Sequence, residues 1–187
     1  MPRLRLIAAA LLLALAGPAT RAAPACPPLL QHTLPRLQDE QPVDLCRHAG
    51  KVLLVVNTAS YCGYTPQYKA LEALHARYGP RGLVVLGFPS NDFAQEPGSG
   101  RDIAAFCENT FGVKFPMFAK SHVVAGAGGP VNPLFAALAQ RSGQAPKWNF
   151  HKYLVGRSGT PVLSHASSVD PNGPAFIADL ERLLKSN

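Results

Sequence analysis

Lys51-Val52-Leu53-Leu54-Val55-Val56-Asn57-Thr58 is an aliphatic, largely β-branched run with no polar alternation before Asn57. A strand with one wet face alternates apolar and polar residues, whereas an unbroken run marks a strand buried on both faces. Downstream, Gln67 to Tyr78 places Ala70, Leu71, Leu74 and Tyr78 near helical spacing. Thr65 can cap that helix, and Pro66 suits its first position. Arg81-Gly82 turns the chain into a second apolar run, Leu83-Val84-Val85-Leu86-Gly87-Phe88. Strand, helix and strand in this order form a parallel βαβ unit.

The rest of the chain extends from that unit. A Pro- and Gly-rich loop, Pro89 to Gly100, leads past Ser99 into a helix over Asp102 to Phe111. Phe115 to Phe118 is a short strand candidate, and Asn132-Pro133 opens a helix through Gln140. Lys152-Tyr153-Leu154-Val155 and Thr160-Pro161-Val162-Leu163 flank Arg157-Ser158-Gly159, a hairpin signal. Pro174 to Lys185 closes as an amphipathic helix with Phe176, Ile177, Leu180, Leu183 and Leu184 inward. A βαβ half followed by a hairpin and a final helix predicts an α/β, thioredoxin-like fold: a central mixed sheet flanked by helices, over residues 51–187.

Upstream, Arg3 and Arg5, the short apolar run Leu6 to Ala16 and small residues around Ala22 have the order of a secretory signal peptide. The apolar run is too short for a membrane anchor, and Ala23-Pro24-Ala25 lacks the Leu expected before a lipid-bearing Cys26. Residues 1–22 are read as a leader and 23–50 as a Pro-rich, irregular extension. An exported chain of this kind is expected in the periplasm of a Gram-negative host.

Composition narrows the function classes. Of 187 residues, 47% are apolar and 16% charged, enough for one ordinary core and too little charge for a disordered chain. The net charge of +7 falls to +4 without the leader, which holds three arginines and no carboxylate. The remaining cations are scattered, and no nucleic-acid motif accompanies them. The four cysteines, Cys26, Cys46, Cys62 and Cys107, allow three complete pairings. Export permits disulfides, and a Cys26–Cys46 bridge would pin the extension. No Cys-x-x-Cys and no Cys/His pair at ligand spacing is present, so neither zinc nor any other metal is expected.

Cys62 follows the first buried strand and precedes a helix. Unpaired backbone N–H groups near a helix start favour a thiolate there, although a lone Cys is more often a small core residue. Gln95 sits in the loop after the second strand, at the sheet end where open α/β folds gather their sites. Trp148, the single Trp, supplies an indole donor, and Asn149 an amide. Singly, each has a plain structural explanation.

Together they carry more. Asn57-Thr58-Ala59-Ser60-Tyr61-Cys62-Gly63-Tyr64-Thr65 resembles the active-site loop of glutathione peroxidases. Gly87-Phe88-Pro89-Ser90-Asn91-Asp92-Phe93 with Gln95-Glu96-Pro97-Gly98-Ser99 resembles their second motif, and Lys147-Trp148-Asn149-Phe150 their third. The likeness runs from about Gly50 to Leu184. It implies a Cys62, Gln95, Trp148, Asn149 tetrad, with Cys62 as the peroxidatic nucleophile where some relatives carry selenocysteine. The implied substrates are hydrogen peroxide and organic or lipid hydroperoxides. The implied partner is glutathione or a thioredoxin-like reductant, and no cofactor is implied. The segment from Phe118 to Trp148 lacks the long insertion that supports tetramers in some members, which implies a monomer.

The sequence departs from the family pattern at several places. Ser90 stands where many relatives carry Cys, and Asp92 where many carry Gln. Only Ala94 separates Phe93 from Gln95, one residue short. Relatives that use thioredoxin carry a resolving Cys that aligns with Glu108, one position after Cys107. One position is about 100° around a helix, so Cys107 is either a resolving Cys or a core residue, with the core slightly favoured. Two other functions share these residues: an exported peroxide-sensing thiol-disulfide relay, and a non-catalytic binding module. The missing Cys-x-x-Cys speaks against a general disulfide exchanger, and the complete tetrad against a bare module.

Overall fold

The computed structural model describes residues 25–186. The expected leader lies outside them. Its centre is β3 (Val52–Thr58), with all seven residues buried. It pairs in parallel with β4 (Leu83–Pro89), Val52 opposite Leu83 and Thr58 opposite Pro89. On its other side it runs antiparallel to β5 (Lys152–Val155), Val56 opposite Lys152. The antiparallel β6 (Val162–His165) completes a mixed sheet of order β4-β3-β5-β6.

The side-chain alternation of β3 explains why its sequence is apolar throughout. Leu54 and Val56 enter a core with Tyr68, Leu71 and Leu74 of α1 (Gln67–Tyr78) and Ile103 of α2 (Gly100–Phe111). Phe176 and Leu180 of α4 (Pro174–Lys185) join the same core. Leu53 and Val55 point the other way, to Leu134, Phe135 and Leu138 of α3 (Pro133–Ser142). Each buried aliphatic side chain contributes about 1.5–3 kcal/mol, so a charge anywhere on β3 would expose one core or the other. This is the expected mixed α/β, thioredoxin-like arrangement. Helix α2 starts at a capping box, in which the Ser99 side chain accepts from Asp102 N and the Asp102 carboxylate accepts from Ser99 N.

Two local expectations change. The extension is not irregular: β1 (Thr33–Pro35) and β2 (Pro42–Asp44) form an antiparallel hairpin between short 3-10 turns at Pro28–Leu30 and Leu45–His48. Leu29, Leu30, Leu34 and Leu45 pack with Leu53 and Val55, so this segment is part of the core. Cys26 and Cys46 are joined by a disulfide. Closing a loop with a sequence separation of 20 stabilises by about 3 kcal/mol, through restriction of the unfolded chain. The Phe115–Phe118 candidate makes only single bridges, Met117 to Gly87 and Phe118 to Arg36. Pro116 has no N–H to donate to a ladder. The close approach depends on Gly87, where an added Cβ would lie 2.2 Å from Met117 Sδ.

Candidate active site

Because β5 is antiparallel to β3, its start lies at the sheet end where β3 and β4 finish. Three loops therefore meet there: residues 59–66, residues 90–99 and the residues just before β5.

The first loop is shaped by Thr65. Its hydroxyl accepts from Cys62 N at 3.1 Å and donates to Ala59 O at 2.9 Å, while Thr65 N donates to Cys62 O at 3.0 Å. These bonds wrap the loop around Cys62 and leave Thr65 no role as the cap of α1, which begins at Gln67 without a side-chain cap. Cys62 thus precedes the helix by a full turn of loop. Its sulfur accepts from Tyr64 N at 3.4 Å, and the residue is 8% exposed, while neighbouring Tyr61 is 71% exposed.

The second loop is laced to the first. Tyr61 N donates to Gln95 O at 3.1 Å, and the Ser60 hydroxyl donates to the Glu96 carboxylate at 3.0 Å. Burial raises the pKa of Glu96, and the Ser60 hydrogen bond opposes that shift. Ala94, the single residue between Phe93 and Gln95, takes a φ of 55°. Asp92 anchors the loop: its carboxylate accepts from Val123 N and Val124 N and meets His122 Nδ1 at 2.6 Å.

The third segment is templated by Asn57. Its side chain donates to Trp148 O at 3.2 Å and accepts from His151 N at 3.0 Å, and its backbone O accepts from Phe150 N at 2.7 Å. Phe150 takes a positive φ of 62°, a conformation uncommon outside glycine. Its carbonyl is held by Lys152 Nζ at 2.7 Å, which also donates to Gln67 Oε1 at 2.8 Å and Ser167 O at 3.2 Å. Lys152 is fully buried, and burial pulls its pKa down to about 7 against the opposing pull of Asp170. Burial, reinforced by Lys152, likewise pulls His151 down to about 4, so that imidazole is neutral at physiological pH.

This framework joins two of the expected tetrad directly. Asn149 is fully buried, and its Nδ2 donates to Gln95 Oε1 at 2.9 Å. That bond occupies the Gln95 oxygen, so what Gln95 has left to offer is its amide N–H. Trp148 is not a core residue: it is 42% exposed and packs its indole against Phe93, ring centroids 5.4 Å apart. With no acceptor of its own, the indole can only donate. The loops thus carry the Cys62 sulfur, the Gln95 and Asn149 amides and the Trp148 indole to one end of the sheet. There Asn149 and Gln95 are hydrogen-bonded to each other, and among the described residues the only hydrogen bond to the sulfur comes from Tyr64 N. Neutral donors of this kind stabilise negative charge growing on an oxygen when they are aimed at it.

Cys107 lies on the inner face of α2, 2% exposed, while Glu108 is exposed. It shares a core with Cys62, and burial pushes its thiol up to about 11. The Tyr68 hydroxyl lies beside it without a hydrogen bond of ordinary length. Asn57, Glu96 and Lys152 did not stand out in the sequence. The signal was there for two of them, since a polar residue inside an apolar strand must find partners or pay for burial. Among the described residues no cluster of three His, Cys, Asp or Glu side chains could hold a metal.

Fold and site together define a thiol-based oxidoreductase of thioredoxin-like architecture. Comparison with known proteins specifies it further. Residues 30–139 match the family model described as glutathione peroxidase. The hydroperoxy fatty acid reductase of Synechocystis sp. is 47% identical over 158 residues, covering 78% of this chain and 90% of that protein. The thioredoxin/glutathione peroxidase BtuE of Escherichia coli is 39% identical over 168 residues, covering 78% and 92%. The crystal structure of T. cruzi GPX1 superposes with a TM-score of 0.64 at 30% identity, covering 83% of this chain and 95% of that one. The chain belongs to the glutathione peroxidase family. Its activity is that of a thiol-dependent peroxidase acting on hydroperoxides.

Proposed function

We propose that Cys62 is the peroxidatic nucleophile, with Gln95, Trp148 and Asn149 as its donors. The Cys62 thiolate attacks the terminal oxygen of a hydroperoxide. An S–O bond forms, the O–O bond breaks, and the departing alkoxide takes a proton to leave as alcohol, or as water from hydrogen peroxide. Cys62 becomes a sulfenic acid. A reductant thiol then attacks its sulfur, releasing water and leaving a mixed disulfide, which a second thiol resolves. The observation that carries this assignment is the Asn149–Gln95 hydrogen bond at 2.9 Å, in a loop tied to the Cys62 loop through Tyr61 N and Gln95 O.

The reductant is glutathione or a thioredoxin-like protein, a reading supported by the likeness to the thioredoxin/glutathione peroxidase of Escherichia coli. The name of the Synechocystis relative supports lipid hydroperoxides among the substrates. Cys107 is a core residue in this reading, because a buried thiol with a raised pKa is a poor nucleophile. An external thiol then completes the cycle. The chain acts as an exported monomer in the response to oxidative stress, in the periplasm of a Gram-negative host. The leader-like start and the Cys26–Cys46 bridge favour export. Turnover of cumene hydroperoxide and hydrogen peroxide, with thioredoxin and glutathione offered in parallel, tests the reading. Turnover with at least one thiol is expected. Sulfenic acid at Cys62 without turnover by either would favour the peroxide-sensing relay instead.

A further inference from the structure

A cavity of about 570 Å³ opens between the β1–β2 hairpin, the Leu45–His48 turn and the segment that runs beside β4. Its size lies within the roughly 300–1,000 Å³ range of small-molecule sites. None of Cys62, Gln95, Trp148 and Asn149 lines it. Its lining includes three cations, Arg36, Arg47 and Lys114, and the partly exposed apolar residues Val43 and Pro116. Arg36 is engaged by Asp39. Among the described residues, neither the Arg47 nor the Lys114 side chain has a carboxylate within ion-pair distance. The nearby Glu72 carboxylate is committed to the backbone N–H groups of Lys114 and Phe115.

His48 supplies an independent sign of a ligand. It lines the cavity, is only 8% exposed, and its Nε2 is buried without any hydrogen-bond partner. A buried polar nitrogen left unpaired costs about 1–3 kcal/mol, a cost that a turn of the ring toward the cavity and a ligand oxygen would remove. Burial, reinforced by Arg47 and Lys51, lowers its pKa to about 4, so at neutral pH it offers a single N–H. The turn that carries Arg47 and His48 also carries Cys46, whose disulfide to Cys26 fastens that wall.

We propose that this cavity binds a small amphipathic organic anion. Its carboxylate or phosphate head sits among Arg47, Lys114 and His48, and its apolar body lies against Val43 and Pro116. The site is separate from the peroxide chemistry and does not rest on it.

Calorimetric titration of the disulfide-bonded mature chain with octanoate, 1-octanol and inorganic phosphate tests the proposal. Octanoate is expected to bind saturably with one-to-one stoichiometry. Octanol, lacking the charge, and phosphate, lacking the apolar body, are each expected to bind at least about tenfold more weakly, a difference of about 1.4 kcal/mol. The Arg47→Ala/Lys114→Ala double variant should lose at least about tenfold in octanoate affinity, and His48→Phe should weaken it as well. Both variants should keep wild-type peroxide turnover, which confirms that they fold. No saturable octanoate binding, equal binding by octanol or phosphate, or undiminished binding in the folded double variant would each overturn the proposal.

Discussion

Replacing Lys152 with methionine isolates the energetics of the buried ammonium that holds the Phe150 turn. In the folded protein this group releases its proton near pH 7, against an ordinary value of 10.5. Below pH 7 both folded and unfolded chains hold the proton, and the cost of burying the charge is present in full. Between about 7 and 10.5 the unfolded chain holds a proton that the folded chain has lost, so stability rises with pH. At about 1.4 kcal/mol per pH unit, the whole gap corresponds to about 5 kcal/mol. From pH 7 to pH 9 the gain is about 2 kcal/mol. Other groups titrate in this range: the raised Cys107 thiol, for one, lowers stability above its ordinary value of 9.0. They are common to both proteins, so the difference between them reports Lys152. Urea unfolding of wild type and Lys152→Met at pH 7 and pH 9 should show the wild type gaining about 2 kcal/mol on the variant. Parallel pH profiles would refute the argument. They would mean that Gln67 Oε1, Phe150 O and Ser167 O keep the ammonium charged throughout.

The Asn149→Ala variant should lose about 10²-fold in kcat/KM for cumene hydroperoxide, the usual effect of removing a donor aimed at developing charge. Its unfolding midpoint should move little by comparison. The Cys107→Ser variant should retain most of its turnover with glutathione. In the native wild type, Cys107 should react with iodoacetamide far more slowly than Cys62, as its burial and raised pKa require; mass spectrometry after timed quenching reads both sites.

The sheet was legible where burial leaves an unmistakable pattern. The apolar runs at Val52 and Leu83 and the helix from Gln67 to Tyr78 read directly, since strands buried on both faces contain little else. The β1–β2 hairpin did not read, because strands of three residues ending in Pro35 and beginning at Pro42 look like loop. They are held by the apolar packing of Leu29, Leu34 and Leu45 on the sheet, a long-range term that no local propensity reports. At the site, Cys62, Gln95, Trp148 and Asn149 were found as a set through family resemblance, since each alone has an ordinary alternative. The loop before Gln95, with Ala94 as its single spacer, turns through a positive φ that the sequence did not signal. Asn57 and Lys152 escaped notice because their importance lies in partners distant in sequence, such as Trp148 O for Asn57 and Gln67 for Lys152.

That Cys62 donates the electron pair that breaks the O–O bond and takes up the oxygen is tested most directly by its oxidation state after a single turnover. The protein, reduced at Cys62 and Cys107 with the Cys26–Cys46 bond intact, is treated with one equivalent of cumene hydroperoxide in the absence of any thiol. A dimedone-type probe then traps sulfenic acid for peptide mass spectrometry. The account predicts that the adduct forms at Cys62 and not at Cys107, and that Cys62→Ser forms none and consumes no peroxide. Unmodified Cys62 with the peroxide consumed, or unchanged consumption by Cys62→Ser, would contradict it.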